Sequence, residues 1–311
     1  MSAEKNNKQG QKLPLTNPAT LDSHSDEDDI EETSPWKDTC KYLQKNRFAI
    51  TGCLIILFFV LFGFLAPLLT SYSYQGQDLA NRLQPPSSEH WFGTDDVGRD
   101  IFTRIAYGAR VSMQVGFFAV TGALVFGTLL GMIAGYFGRW IDTIISRIFD
   151  IVLAFPSILL AIAIVAILGA SLQNALIAIA IINIPIFGRI VRSKVISLRE
   201  EEFIMAARAQ GMKNGRIIFH HILPNSAAPI IVQATLGFGT AILDAAALGF
   251  LGLGAQPPTP EWGAMLAASR DFIQLAPWTL IFPGISIMLV VLGFNLIGDG
   301  LRDALDPKMK N

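Results

Sequence analysis

The chain has 311 residues, a formal net charge of −1, 51% hydrophobic residues and only 16% charged ones. A soluble domain carries nearer a quarter charged residues, so the composition is that of a multi-span membrane protein. The basic residues are scattered over membrane-flanking segments and form no single patch, which excludes nucleic acid as a partner.

Residues 1–34 are polar and acidic, with Asp26, Glu27, Asp28, Asp29, Glu31 and Glu32 close together. Such a stretch buries too little apolar surface to offset its ordering and reads as a disordered tail. Residues 35–47 turn basic and carry Trp36 and Tyr42, residues suited to the headgroup level, which predicts an interfacial elbow helix. Cys40 and Cys53 sit just before and inside the first apolar run, where no disulfide framework is expected. That run follows a long polar stretch, so no cleavable leader is visible.

Residues 48–311 read as a six-span domain. Phe48–Leu69 and Val111–Gly138 are each long enough for one crossing. Ile151–Gly188 would be about 57 Å of helix, nearly twice a hydrocarbon core, and its polar break at Ser171–Asn174 makes it two. Ile222–Leu243 and Phe272–Gly298 supply the last two. With the amino terminus inside, sixteen Lys and Arg residues fall on cytoplasmic segments against five (Arg82, Arg99, Arg104, Arg110 and Arg270) outside. The positive-inside rule therefore puts both termini in the cytoplasm. Between the second run and the first, Gly93-Thr94-Asp95-Asp96 reads as a helix start with Thr94 or Asp95 as cap, leading a separate surface helix. Prolines at 156, 185, 229 and 283 punctuate the spans, and glycines crowd residues 108–138 and 237–254, as close helix packing requires.

Residues 202–224 form a short basic amphipathic segment between spans. On a helix, Phe203, Ala206, Ala207 and Gln210 share one stripe, whose two alanines leave room for a partner to approach. Gly211 supplies the left-handed residue that ends a helix, and Pro224 turns the chain into the next span. An ordinary interfacial helix would have the same pattern. Asp244 is the most informative charge: it is either a pathway or gate residue or a structural residue at a helix end. Gln256, Glu261 and Trp262 follow as candidates for the polar lining of an outer gate.

Enzyme readings fail. There is no Gly-x-x-x-x-Gly-Lys-Ser/Thr phosphate loop, no His-Glu-x-x-His helix and no nucleophile elbow. His220 and His221 are adjacent and point to different helix faces, so no metal site is expected.

Ala206-Ala207, three residues, Gly211, nine residues and His221-Ile222-Leu223-Pro224 resemble the cytoplasmic coupling loop of ABC-importer permeases. Met205 stands where that family has Glu, and His221 where it often has Ile. Residues 90–110, 249–263 and 294–308 (FNLIGDGLRDALDPK) resemble its dipeptide and oligopeptide branch. The resemblance implies an all-α, type I importer permease fold with six transmembrane helices, an elbow helix and a coupling helix. In that reading Glu202, Phe203, Ala206, Ala207, Arg208 and Gly211 dock on an ATPase. The chain holds no cofactor; ATP is bound and hydrolysed by two cytoplasmic ATPase subunits. A homologous permease completes a heterodimer in the lipid of the cytoplasmic membrane, and an external solute-binding protein delivers peptides or glutathione-like substrates. A nickel-chelate permease of the same family is the alternative. A secondary transporter ranks behind it, because ion coupling would need more intramembrane charge than Asp244.

Overall fold

A computed structural model describes residues 42–305. The acidic tail over residues 1–34 and residues 35–41 of the expected elbow lie outside that range. Within it the backbone is helical, with no strand beyond one isolated bridge between Thr94 and Asp100.

A helical stretch at 42–45 is separated by Asn46 from helix α1 (Arg47–Phe64). The Asn46 side chain accepts from Phe48 N at 3.0 Å and Ala49 N at 3.2 Å, which satisfies two donors that the first turn leaves free. Helix α2 (Ile101–Phe137) corrects the expectation of a separate surface helix at Thr94 or Asp95. Gly93 and Gly98 have φ of +76° and +78°, and a Cβ at 98 would fall 1.7 Å from the Asp78 carbonyl oxygen. The chain is therefore held out of helix until Asp100, whose Oδ2 accepts from Thr103 N at 2.7 Å. From there the apolar face of Ile101 and Ile105 continues without a break into the span, giving one rod about 56 Å long. Thr94 instead accepts from Gln84 N at 2.8 Å, and Asp95 pairs with Arg99 at 2.6 Å.

The third crossing also differs from expectation. Helix α3 (Arg139–Ala154) and helix α4 (Ser157–Leu168) meet at a 94° bend across Phe155-Pro156. Proline forces its predecessor into extended backbone, and Phe155 has φ −92° and ψ 143°. Only the twelve residues of α4 continue toward the distal turn. There Gly169 (φ +95°) ends α4, and the Ser171 hydroxyl accepts from Asn174 N at 3.1 Å to start helix α5 (Leu172–Arg199). The turn is thus Gly169–Ser171, and Leu172 to Asn174 already belong to α5. Helix α6 (Glu202–Ala209), a stair of short turns over 214–225, helix α7 (Ala227–Phe250), helix α8 (Trp262–Ala268) and helix α9 (Trp278–Leu305) complete the chain. Among the described residues five helices are long and apolar enough to cross a membrane, six if the bent α3–α4 pair counts as one crossing.

The most extensively packed pair is α2 with α5. Gly127, Gly131 and Gly135 recur every fourth residue and line one face of α2. A Cβ on Gly131 would lie 2.5 Å from the Gly188 carbonyl oxygen, so only bare backbone allows this approach. Helix α3 lies across the same part of α5. Phe149 is buried against Gly188, Asp142 takes a bidentate contact from Arg192, and Asp150 pairs with Arg189 at 2.7 Å. A separation of eight positions on α3 (Asp142 to Asp150) thus meets one of only three on α5 (Arg189 to Arg192), the signature of a steep crossing.

Candidate functional site

Helix α6 sits at one end of the bundle, with Glu202 in its first turn and Arg208 in its last, as the helix dipole favours. It ends in a Schellman motif: Gly211 N donates to Arg208 O at 2.9 Å and Met212 N to Ala207 O at 3.1 Å. Gly211 has φ +75°, as the sequence required, and no atom within 4 Å of where a Cβ would stand. Its role is conformational.

The expected docking stripe is divided between two faces. Ile204, fully buried, and Ala207, 6% exposed, point inward. They pack in a cluster with Tyr136 of α2, Val195 and Leu198 of α5, and Ile217 and Ile218 of the stair. Ala207 is thereby corrected from a docking residue to an anchoring one: three positions after Ile204, it must share that residue's face. Phe203 (43% exposed), Ala206 and Gln210 look outward, together with Glu202, Met205 and Arg208. The guanidinium of Arg208 lies over the Tyr136 ring at 5.0 Å, and the Tyr136 hydroxyl hydrogen-bonds the Asn214 side chain at 2.9 Å. One small helix is therefore clamped to the ends of α2, α5 and the stair leading into α7.

Asp244 is not at a helix end. Six residues of α7 follow it, about 9 Å of helix. It is half-buried, with the Asn183 side chain of α5 alongside its carboxylate. Ala241, Ala245 and Leu248 face the cluster shared by α2, α4 and α5, whereas Thr240, Leu243 and Leu251 are exposed. Asp244 stands on the boundary between these two faces.

The proposed gate lining fares differently at its three positions. Trp262 is fully buried, its indole N–H donating to Ile105 O at 3.2 Å, and Glu261 is 2% exposed. Glu261 caps α8, accepting from Gly263 N and Ala264 N at 2.8 Å each. Burial nonetheless pushes its carboxyl above the ordinary 4.5, against the pull of those N–H groups and of Ser112. Glu261 and Trp262 are thus corrected from gate lining to packing between the distal ends of α2, α7 and α8. Gln256 remains exposed, and its amide donates to Gly252 O and Gly254 O at 3.1 Å, holding its own loop. Among the described residues no group of three or more His, Cys, Asp or Glu could hold a metal ion.

Beyond its being a lone amide in an apolar run, nothing in the sequence marks Asn183 as a functional residue. The glycines crowding residues 108–138 signal close packing without naming α5 as the partner. The four-residue spacing of Gly127, Gly131 and Gly135 was a visible signal for the α2–α5 glycine seam.

Residues 127–311 match the model of the family described as binding-protein-dependent transport system inner membrane component. Residues 34–86 match the N-terminal TM domain of oligopeptide transport permease C. The chain is 76% identical over 298 residues to the dipeptide transport system permease protein DppC of Alkalihalophilus pseudofirmus, covering 96% of this chain and 98% of that protein. It is 47% identical over 284 residues to the di/tripeptide permease DppC of Pseudomonas aeruginosa, covering 89% and 94%. To the glutathione permease GsiD of Pectobacterium atrosepticum it is 46% identical over 279 residues, covering 89% and 93%. Among solved structures, the inward-facing MetNI methionine ABC transporter matches with a TM-score of 0.52 at 19% identity, covering 64% of this chain and 95% of that one. That last likeness is one of fold.

Proposed function

From the premise that this chain belongs to the family of binding-protein-dependent transport inner membrane components, in its peptide-type ABC permease branch, we propose that it carries di- and oligopeptides across the cytoplasmic membrane. The observation that carries the reading is the two-faced helix α6, one face clamped to three spans and the other free. The chain itself is a transport subunit and not an enzyme. The work comes from ATPase subunits, and a binding protein presents the substrate, as the family requires. Our reading pairs the chain with one homologous permease and two ATPases that hold the ATP, and puts both of its termini in the cytoplasm.

In this mechanism the outward face of Glu202, Phe203, Ala206 and Arg208 rests in a groove of the ATPase. When the ATPases close on ATP, α6 moves with them. Ile204 and Ala207 sit in an apolar cluster shared with Tyr136, Val195, Leu198, Ile217 and Ile218, so the displacement passes to the ends of α2 and α5 and to the stair feeding α7. The glycine seam makes α2 and α5 move as one body. Rotation of that body against the rest of the bundle opens the path to one side and then the other, a coupling carried by a two-state element. The relatives' substrates, dipeptides, di/tripeptides and glutathione, favour peptides over nickel chelates.

The test uses the complex purified from co-expressed subunits and rebuilt in proteoliposomes with its binding protein. Ala206→Asp should abolish dialanine uptake and peptide-stimulated ATP hydrolysis while the permease still folds. A cysteine at 206, with Cys40 and Cys53 replaced by Ser, should cross-link to an ATPase subunit. Normal uptake by Ala206→Asp without any such cross-link removes the docking claim.

A further inference from the structure

Helix α7 carries one charged residue in 24, and that residue is Asp244. A carboxylate at membrane depth is expensive and normally meets a cation or a wet cavity. Among the described residues no Lys, Arg or His forms an ion pair with it. Its companion is neutral: the Asn183 amide, which also donates to Ile179 O at 2.8 Å. That bond holds the amide plane beside the carboxylate. An ionised carboxylate accepts about four hydrogen bonds, so one amide leaves most of its capacity unused.

The direction of the unused capacity follows from the helix. Positions 241, 245 and 248 are packed against α2, α4 and α5, and positions 242 and 246 against the cluster of α1, α8 and α9. Only the arc of Thr240, Leu243, Ala247 and Leu251 is left open, and Asp244 lies on the edge of that arc next to α5. Lipid tails on this arc would leave the carboxylate without donors. A solute moving past the arc would supply them.

We propose that Asp244, oriented by Asn183, is a station for the protonated amino group of a peptide in transit. This rests on the peptide-permease reading above. An ammonium brings three donors and the missing positive charge, and a charge-assisted hydrogen bond is about twice as strong as a neutral one. The station offers a single charged contact in an otherwise apolar wall, enough to orient the amino end and weak enough to let it go. Its neighbours on this chain's arc, Thr240, Leu243 and Ala247, carry no charge, so the station reads the backbone terminus common to all peptides.

The test uses the complete complex in proteoliposomes with binding protein and dialanine, both saturating. Asp244→Asn should lower the maximal uptake rate about tenfold to a hundredfold, the worth of one charged hydrogen bond, and Asp244→Glu should restore part of it. Peptide-stimulated ATP hydrolysis should persist in both. In the wild type, a carbodiimide added during turnover should join the Asp244 carboxylate to the dialanine amine as an amide, read as the mass increment on the Asp244 peptide. Equal uptake by wild type and Asp244→Asn overturns the station. So does coupling of Asp244 to a lysine of a neighbouring subunit in place of the substrate. If Asp244→Asn does not assemble, the presence or absence of the dialanine adduct on the wild type decides alone. Failure of the wild type to take up any peptide sinks the underlying reading instead, so the two failures are distinguishable.

Discussion

Replacing Gly131 by alanine tests the seam on which the mechanism turns. The added Cβ would stand 2.5 Å from the Gly188 carbonyl oxygen and 3.0 Å from the Val191 Cβ. Ordinary contact begins near 3.4 Å, so α2 and α5 must part by up to an ångström at that level. Oxygen on α5 backbone cannot swing aside as a side chain would. Overpacking of this kind costs about 1–3 kcal/mol, and separation spreads the loss to Gly127 and Gly135 on the same face. At about 3 kcal/mol the folded-to-unfolded ratio falls more than a hundredfold. The assay is thermal unfolding of the purified protein in detergent, with a drop of several degrees expected at about 2–4 °C per kcal/mol. Gly284→Ala in α9 is the matched control: nothing lies within 4 Å of its Cβ position, and alanine is the better helix former. Its melting temperature should hold or rise. A Gly131→Ala protein that melts and transports like the control would refute the claim that bare backbone contact joins α2 to α5.

Four further outcomes follow from the same contacts. Ala207→Asp places an unpaired carboxylate in the α6 cluster and should cost several kcal/mol, seen as lost expression, whereas Ala206→Asp should express normally and fail only in uptake. Gly211→Ala should cost about 1 kcal/mol for its left-handed backbone, while Gly211→Pro, which also removes the N–H to Arg208 O, should abolish uptake. Phe149→Ala empties the space against Gly188 and should destabilise by about 3–5 kcal/mol, with trypsin cutting faster at Arg139 or Arg147. The folded carboxyl of Glu261 is raised above the ordinary 4.5. Its contribution is therefore complete below pH 4.5 and is lost as pH rises through the folded value. Melting temperature should decline across that window in the wild type, and Glu261→Gln should flatten the decline; an unchanged slope would count against the buried carboxylate.

Much of this was legible from residue order. Long uncharged runs marked five of the crossings and the bent pair that would be the sixth, and Gly211 ends α6 where a left-handed residue was called for. Three matters were not legible, each for a physical reason. An eight-residue helix has too few turns for its own pattern to say which apolar face is buried. Ile204 wins over Phe203 because Tyr136, Val195 and Ile217 come from elsewhere in the chain. The start of α2 depended on Asp78, about twenty residues upstream, crowding Gly98. Glu261 read as gate lining because a carboxylate that caps a helix and one that faces water are the same letter.

The corner at Phe155-Pro156 bears on electrical tightness. A twelve-residue rod covers about 18 Å, some 12 Å short of a hydrocarbon core. Arg139–Ala154 turns away from this rod by 94° and so adds almost nothing to that height. Sealing against protons is then a property of the assembled importer, and the lone subunit in liposomes should dissipate a pH gradient that the full complex holds.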